Sequence, residues 1–326
     1  MRILAIETSC DETAAAVVED GVKIRSNVVA SSTLMHRKYG GVVPEVAARE
    51  QLRCILPTIA EALKEANCNY ESIDTLAVTV GPGLIGSLLV GVETAKTIAM
   101  VKGLPIVPVN HVIAHMYANF IDNRKIEFPA ISLVVSGGHT ELYLMRNERD
   151  LKWLGGTLDD AAGEAFDKTA RLLGFGNRGG VAIQEAAAGS KVQNVIKLPR
   201  PMMHDESLNF SFSGLKTAVM REWKKEKNPN PAAFAYEIQE AVTDVLMEKT
   251  LRAARQYKAK SVLLSGGVAA NLRLRKKFRA SGIRHHVPPI SLCTDNAVYI
   301  ASYAFFRGKQ ENWKTITATP DLSVEV

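Results

Sequence analysis

The pattern that most restricts how this chain can fold is a short apolar run, cut by glycine and followed by a helix. It occurs at residues 76–80, where Gly81-Pro82-Gly83 breaks the run before a small-residue helix over 84–100. It returns at residues 262–264, where Gly266-Gly267 precedes a helix over 271–278. An apolar hairpin stands ahead of each copy. The first pairs residues 3–6 with 14–18 around Glu7-Thr8-Ser9, and the second pairs 131–135 with 141–145 around Ser136-Gly137-Gly138. Short strands alternating with longer helices call for an α/β fold with some parallel pairing. Two similar lobes facing one cleft explain the echo, and 326 residues are enough for both.

Other segments fit this frame. Residues 46–64 read as a helix with Ala47, Cys54, Ile55, Ile59 and Leu63 on one side. Residues 106–109 form a strand, after which Asn110 opens a helix through His115. A helix over 160–173 ends at Gly174, a C-cap signal. A long helix over 233–257 carries the stripe Phe234, Ile238, Val242, Val245 and Leu246. Residues 147–152 and 224–231 are polar and expected to be exposed. The longest uncharged stretch, 76–92, holds Pro82 and several glycines and is too short to span a bilayer, so no membrane segment is expected. Glu7, Asp11 and Glu12 stand where a secretory peptide needs an apolar run. The four cysteines, Cys10, Cys54, Cys68 and Cys293, form no C-x-x-C pair, so a reducing cytoplasm is the expected setting. A net charge of +6 fits an anionic partner, while 6% aromatics argues against a stacking platform for single-stranded nucleic acid.

His111 and His115 are four residues apart, which on a helix places two imidazoles on one face and within reach of one metal ion. A metallopeptidase of the H-E-x-x-H type needs glutamate at the position that Val112 occupies here. Asp295 is a candidate third ligand, or else a plain helix N-cap. Two histidines and a carboxylate suit iron or zinc with positions left open. Glycine pairs at 137–138, 179–180 and 266–267, read as three strand ends, together with Thr8-Ser9, favour a nucleotide cleft. No phosphate-binding loop of the G-x-x-x-x-G-K-[ST] kind is present. Asp167 is either a site residue or a solvated neighbour of a Glu164–Lys168 ion pair, and Asn271 is a site residue or a cap. Arg273, Arg275, Lys276, Lys277 and Arg279 form a basic helix face, solvated or following a phosphate backbone. Cys10 and Cys293 read as small packing residues.

Taken together, ETSCDET at the start, GGVVPEVAAR from Gly40, GPGLIGSLLVG from Gly81, NHVIAH from Asn110 and VSGGHTEL from Val135 form an ordered set. DDAAGEAFDK from Asp159, NFSFSGLKT from Asn209, SGGVAAN from Ser265 and CTDNA from Cys293 continue it. The set resembles the bacterial-type TsaD family, the tRNA N6-adenosine threonylcarbamoyltransferases once described as glycoprotein endopeptidases. The resemblance implies the two-lobed α/β fold of actin, sugar kinases and Hsp70, with an adenine nucleotide between lobes expected over 1–128 plus 296–326 and over 129–295. It implies that His111, His115 and Asp295 bind one divalent metal ion. It implies that Val134, Val135, Ser136, Gly137, Gly138, Asp167, Gly180 and Asn271 hold threonylcarbamoyl-AMP. It implies tRNA as substrate, at the adenosine beside the anticodon, and two partners: an inactive paralogue and a small ATPase. Two places depart from the family pattern. Asn177-Arg178-Gly179-Gly180-Val181 replaces Tyr-Pro-Gly-Gly-Pro, and Gln184 stands where many members have aspartate as a possible ribose acceptor. The expected chemistry is acyl transfer to the adenosine amine, with His139 as candidate base. A metal-dependent endopeptidase, a small-molecule kinase on the same fold and a non-catalytic scaffold are the rival readings.

Overall fold

The computed structural model describes residues 1–36, 39, 41–123, 125–176, 179–189 and 196–326. They form two compact units, Met1–Lys125 with Thr294–Val326 and Ile126–Cys293.

The first unit is built on a five-stranded sheet of β1 (Arg2–Glu7), β2 (Glu12–Glu19), β3 (Lys23–Ser31), β4 (Thr75–Gly81) and β5 (Ile106–Asn110), in the order β3-β2-β1-β4-β5. The first three strands run as an antiparallel meander, and β4 and β5 are added parallel to β1. β4 is buried along its whole length because helices cover both faces of a parallel segment. The helices are α1 (Thr33–His36), α2 (Pro44–Glu65), α3 (Ile85–Lys102) and α4 (His111–Ala114), the last running on as a 3-10 stretch, His115–Asn123. α2 starts with proline at its first position, where the missing N–H costs nothing. It buries Ala47, Ile55, Ile59 and Leu63 and leaves Cys54 half-buried. Leu4, Ile6, Val17, Val78 and Val92 complete that core.

The second unit repeats the plan. β6 (Ala130–Val135), β7 (Thr140–Met145), β8 (Leu151–Gly156), β9 (Ser261–Ser265) and β10 (His285–His286) lie in the order β10-β9-β6-β7-β8. β6, β7 and β8 are an antiparallel meander, and β9 and β10 are parallel additions. Strand order and sense therefore match those of the first sheet. The helices are α5 (Ala162–Leu172), α6 (Gly179–Ala188), α7 (Ser213–Lys225), α8 (Pro231–Gln256) and α9 (Leu272–Ala280). Phe234, Ile238, Val242, Val245 and Leu246 of α8 are all buried, each burial worth about 1.5–3 kcal/mol before chain entropy is charged against it. The chain then returns to the first unit as α10 (Val298–Phe306).

Several local expectations change. β3, β8 and α7 were not foreseen, and Leu151 and Lys152 belong to β8 rather than to a polar loop. Gly179-Gly180 opens a helix instead of closing a strand. Residues 177 and 178 of the departing loop, and Gly40, lie outside the described residues. Among the described residues, no helix is long and apolar enough to cross a membrane.

Candidate active site

Asn110 ends β5 and caps α4, its Oδ1 accepting from the N–H groups of Val112 and Ile113 at 3.0 and 3.1 Å. This cap fixes where His111 leaves the sheet. His115 follows one turn later, and the two rings meet edge to face at 4.7 Å. Asp295 arrives from the segment ahead of α10. Its Oδ1 lies 3.7 Å from His111 Nε2 and 3.5 Å from His115 Nε2. A four-coordinate ion with bonds of about 2.0–2.2 Å sets its ligand atoms about 3.4 Å apart, so the spacing fits. The three residues form one candidate metal site. Asp295 is not the cap of α10: a 3-10 turn, Ile290–Leu292, precedes it instead of a strand, and Asn296 Oδ1 accepts from Val298 N.

Behind the triad stands Glu7, which sequence reasoning did not assign. His111 Nδ1 donates to Glu7 Oε2 at 3.0 Å, so Nε2 is the nitrogen turned toward Asp295 and the one that a metal ion would take in place of a proton. Glu7 also accepts from Thr79 Oγ1 and from Ser9 N, each at 2.5 Å. A carboxylate closing a strand buried from Ile3 onward was the available signal. Burial works against charge on Glu7, but His111, Ser9 and Thr79 outweigh it and hold the carboxyl below its ordinary value. Burial also opposes the His111 imidazolium, and the Glu7 and Asp295 carboxylates raise it to about 9. Asp295 is raised by burial and by the charges of Glu7 and Asp11. Glu12 rises to about 7, through burial first and then Asp11 and Asp295. Carboxylates crowded this closely suit a bound cation. The Tyr299 ring lies tilted against that of His115, with centroids 4.4 Å apart, and its hydroxyl donates to Asp295 at 3.4 Å.

The remaining candidate residues all lie in the second unit. Val134 and Val135 end β6, and Gly266, at φ +86, passes so close to Val135 that a Cβ would fall 2.3 Å from its carbonyl oxygen. Ser136 and His139 close a turn, with Ser136 N donating to His139 O at 2.8 Å. Gly137 and Gly138 are exposed at its tip, and among the described residues their N–H groups make no hydrogen bond. Gly163, in the first turn of α5, donates to Ser136 O at 3.2 Å. Asp167 is not simply solvated: its Oδ1 accepts from Gly179 N at 2.9 Å and so caps α6. Any side chain at 179 would meet Asp167 within 2.6 Å, so glycine is required there. Gly180 faces open space. Gln184 Oε1 accepts from Leu272 N at 2.7 Å. Asn271 caps α9 through Leu274 N at 3.0 Å and donates to Gln239 Oε1 at 3.0 Å. Gln239 is a second residue the sequence did not single out.

Two α/β units of one topology, one carrying two buried histidines and a partly exposed aspartate, define a protein of the actin, sugar-kinase and Hsp70 type of fold with a candidate metal site. A solved structure of component A of (R)-2-hydroxyglutaryl-CoA dehydratase from Acidaminococcus fermentans has this fold, with TM-score 0.56 at 15% identity, covering 94% of this chain and 98% of that one. The family described as TsaD, tRNA N6-adenosine threonylcarbamoyltransferase, matches residues 23–302, and the chain belongs to it. Relatives of that description include one from Persephonella marina, 48% identical over 332 residues, covering 100% of this chain and 94% of the relative. Another, from Dehalococcoides mccartyi, is 50% identical over 333 residues and is covered to 99% on both sides. The activity is therefore threonylcarbamoyl transfer to N6 of adenosine in tRNA, and the peptidase, kinase and scaffold readings give way.

Proposed function

We propose that the donor is threonylcarbamoyl-AMP, held by the second unit, and that the first unit carries one iron or zinc ion on His111, His115 and Asp295. The observation that carries the metal reading is the hydrogen bond from His111 Nδ1 to Glu7, the outer support that metal-binding histidines ordinarily have. When bound, the metal supplies Lewis-acid stabilisation of negative charge on oxygen.

The free N–H groups of Gly137 and Gly138 suit a phosphate or carbonyl oxygen of the donor. Val134, Val135 and Ser136 set the position of that turn. Asp167 spends one oxygen on α6 and has the other for a donor hydroxyl. Gly180 gives room for close approach, and Asn271 and Gln184 are held at the start of α9 to meet the nucleoside. The adenosine N6 attacks the carbamoyl carbon, the carbon–oxygen bond to AMP breaks, and AMP leaves with the electron pair. One proton leaves N6, and His139 is the acceptor we put forward. The target is the adenosine beside the anticodon in tRNAs that read codons beginning with A, and the protein works in the cytoplasm with an inactive paralogue and a small ATPase.

The test is mass spectrometry of nucleosides after mixing the protein with unmodified tRNA, synthetic adenylate, metal and these partners. Threonylcarbamoylated adenosine at that one position is expected. Its absence with the adenylate present would remove this donor.

A further inference from the structure

We propose that the outward stripe of α9 docks the sugar–phosphate backbone of the tRNA substrate. α9 carries five cations in nine residues and no acid. They divide by side. Arg273 donates to both oxygens of Glu240 at 2.5 and 2.7 Å, and Lys277 pairs with Glu240 and Asp244 and donates to Thr243 Oγ1 at 2.8 Å. Those two charges are spent on α8. The other side is different. Leu272, Arg275, Lys276, Arg279 and Ala280 line one shallow hollow. They are spaced i, i+3, i+4, i+7 and i+8, a single helical stripe. Arg275 donates to Ala269 O at 2.7 Å, to Pro288 O at 2.9 Å and to Cys293 Sγ at 3.2 Å, none of them a carboxylate. Lys276 and Arg279 are exposed and make no ion pair among the described residues.

An ordinary solvated helix face intersperses acids with its bases, as α2 does with Glu45–Arg49 and Glu50–Arg53. The stripe on α9 has no acid, so three positive charges surround an apolar seat formed by Leu272, which is 56% exposed. The line from Arg275 to Arg279 spans ~6 Å of helix axis, which suits a chain of phosphates better than one small anion. α9 begins at Asn271, so the stripe leads away from a residue proposed to hold the donor. That placement rests on the proposed function, whereas the docking rests only on tRNA being the substrate.

The test is a salt series of tRNA binding, read by fluorescence anisotropy on the full chain, for the parent and for Lys276→Gln with Arg279→Gln. Each phosphate contact contributes about 0.7–0.9 to the slope of log K against log salt. The double variant should lose about 1.4–1.8 from that slope, and roughly 25- to 60-fold in affinity at about 0.1 M salt. Its KM for tRNA should rise while kcat at saturation stays, and its adenylate binding by calorimetry should equal the parent's. Lys224→Gln with Lys309→Gln, which removes two exposed charges elsewhere, should keep the parental slope. Parental affinity and slope in the double variant would overturn the proposal. So would an equal loss in the control pair, or tRNA binding intact while association with an acidic protein partner is lost. A parent that binds tRNA through α9 but binds no adenylate would remove the donor reading and leave the docking surface standing.

Discussion

At the scale of single residues, the candidate metal site depends on a group that does not touch the metal. Glu7 holds the Nδ1 proton of His111 in place and is itself held by Thr79 and Ser9. Glu7→Gln keeps the shape and removes the charge. Metal affinity, measured by competition with a chelator, should fall about 10- to 100-fold, and occupancy should return at saturating metal. Unchanged affinity would show that Glu7 plays no part in setting the ligand. Gln184 offers a second test. Its oxygen satisfies Leu272 N, one of the unpaired N–H groups at the start of α9. Gln184→Glu preserves the reach and adds a negative charge at a helix N-terminus beside cations. Stability should rise by about 0.3–1 kcal/mol, seen as a higher urea midpoint. A lower midpoint would mean that the amide's N–H groups, rather than its oxygen, matter at that position.

Among the elements, α7 is secured from outside its own sequence. Phe212 stands at its N-cap position and provides no side-chain acceptor. Asp159 supplies it instead, accepting from Phe212 N at 2.8 Å, Ser213 N at 3.1 Å, Ser211 Oγ at 2.6 Å and Ser213 Oγ at 2.8 Å. Burial opposes charge on Asp159, but the four donors outweigh it and hold the carboxyl below its ordinary value. A depressed folded value means the stabilisation is complete above the ordinary carboxylate pKa of about 4 and is lost as pH falls through the lower folded value. Asp159→Ala should cost about 1 kcal/mol at neutral pH, solvent screening keeping the effect small at this partly exposed group. Denaturant curves for parent and variant should converge below about pH 4. A gap that persists in acid would place the loss elsewhere. The same geometry explains why α7 was illegible: its cap lies more than fifty residues upstream, beyond any local window. β3 escaped for another reason. It is an edge strand with a mixed polar face, so its residues carry no clean alternation. The buried strands and the stripe of α8 were legible because burial leaves its own periodicity in the residues.

For the molecule as a whole, the repeated strand order was foreshadowed by two hairpins and two strand–glycine–helix units, and the histidine pair by its spacing. Thr79, 72 residues from Glu7, and Gln239, 32 residues from Asn271, became visible only with the fold. One face of the first unit also belongs to this scale. Leu52 and Leu56 on α2 are 66% and 63% exposed, and Ile85 and Leu89 on the adjoining α3 are 48% and 44% exposed. An apolar surface of this kind suits a protein partner, and the proposed paralogue is the occupant we assign. Leu52→Arg with Leu56→Arg should abolish co-elution with that paralogue and shift the chain's own stability by no more than about 0.5 kcal/mol per site. Co-elution that survives would assign the paralogue to another face.

The route of the chain through its two units has a consequence for how the protein is made. Asp295 and α10 belong to the first unit but follow the whole of the second in sequence. On the ribosome, residues 126–293 are complete while the first unit still lacks the helix that packs on β1, β2 and the 3-10 stretch after α4. Folding usually proceeds from the N-terminus as synthesis advances at about 5–20 residues per second. Here the unit begun first is finished last, some seconds after its neighbour. Its two histidines wait through that interval without Asp295, so the candidate metal site is complete only in a finished chain and not in a nascent one.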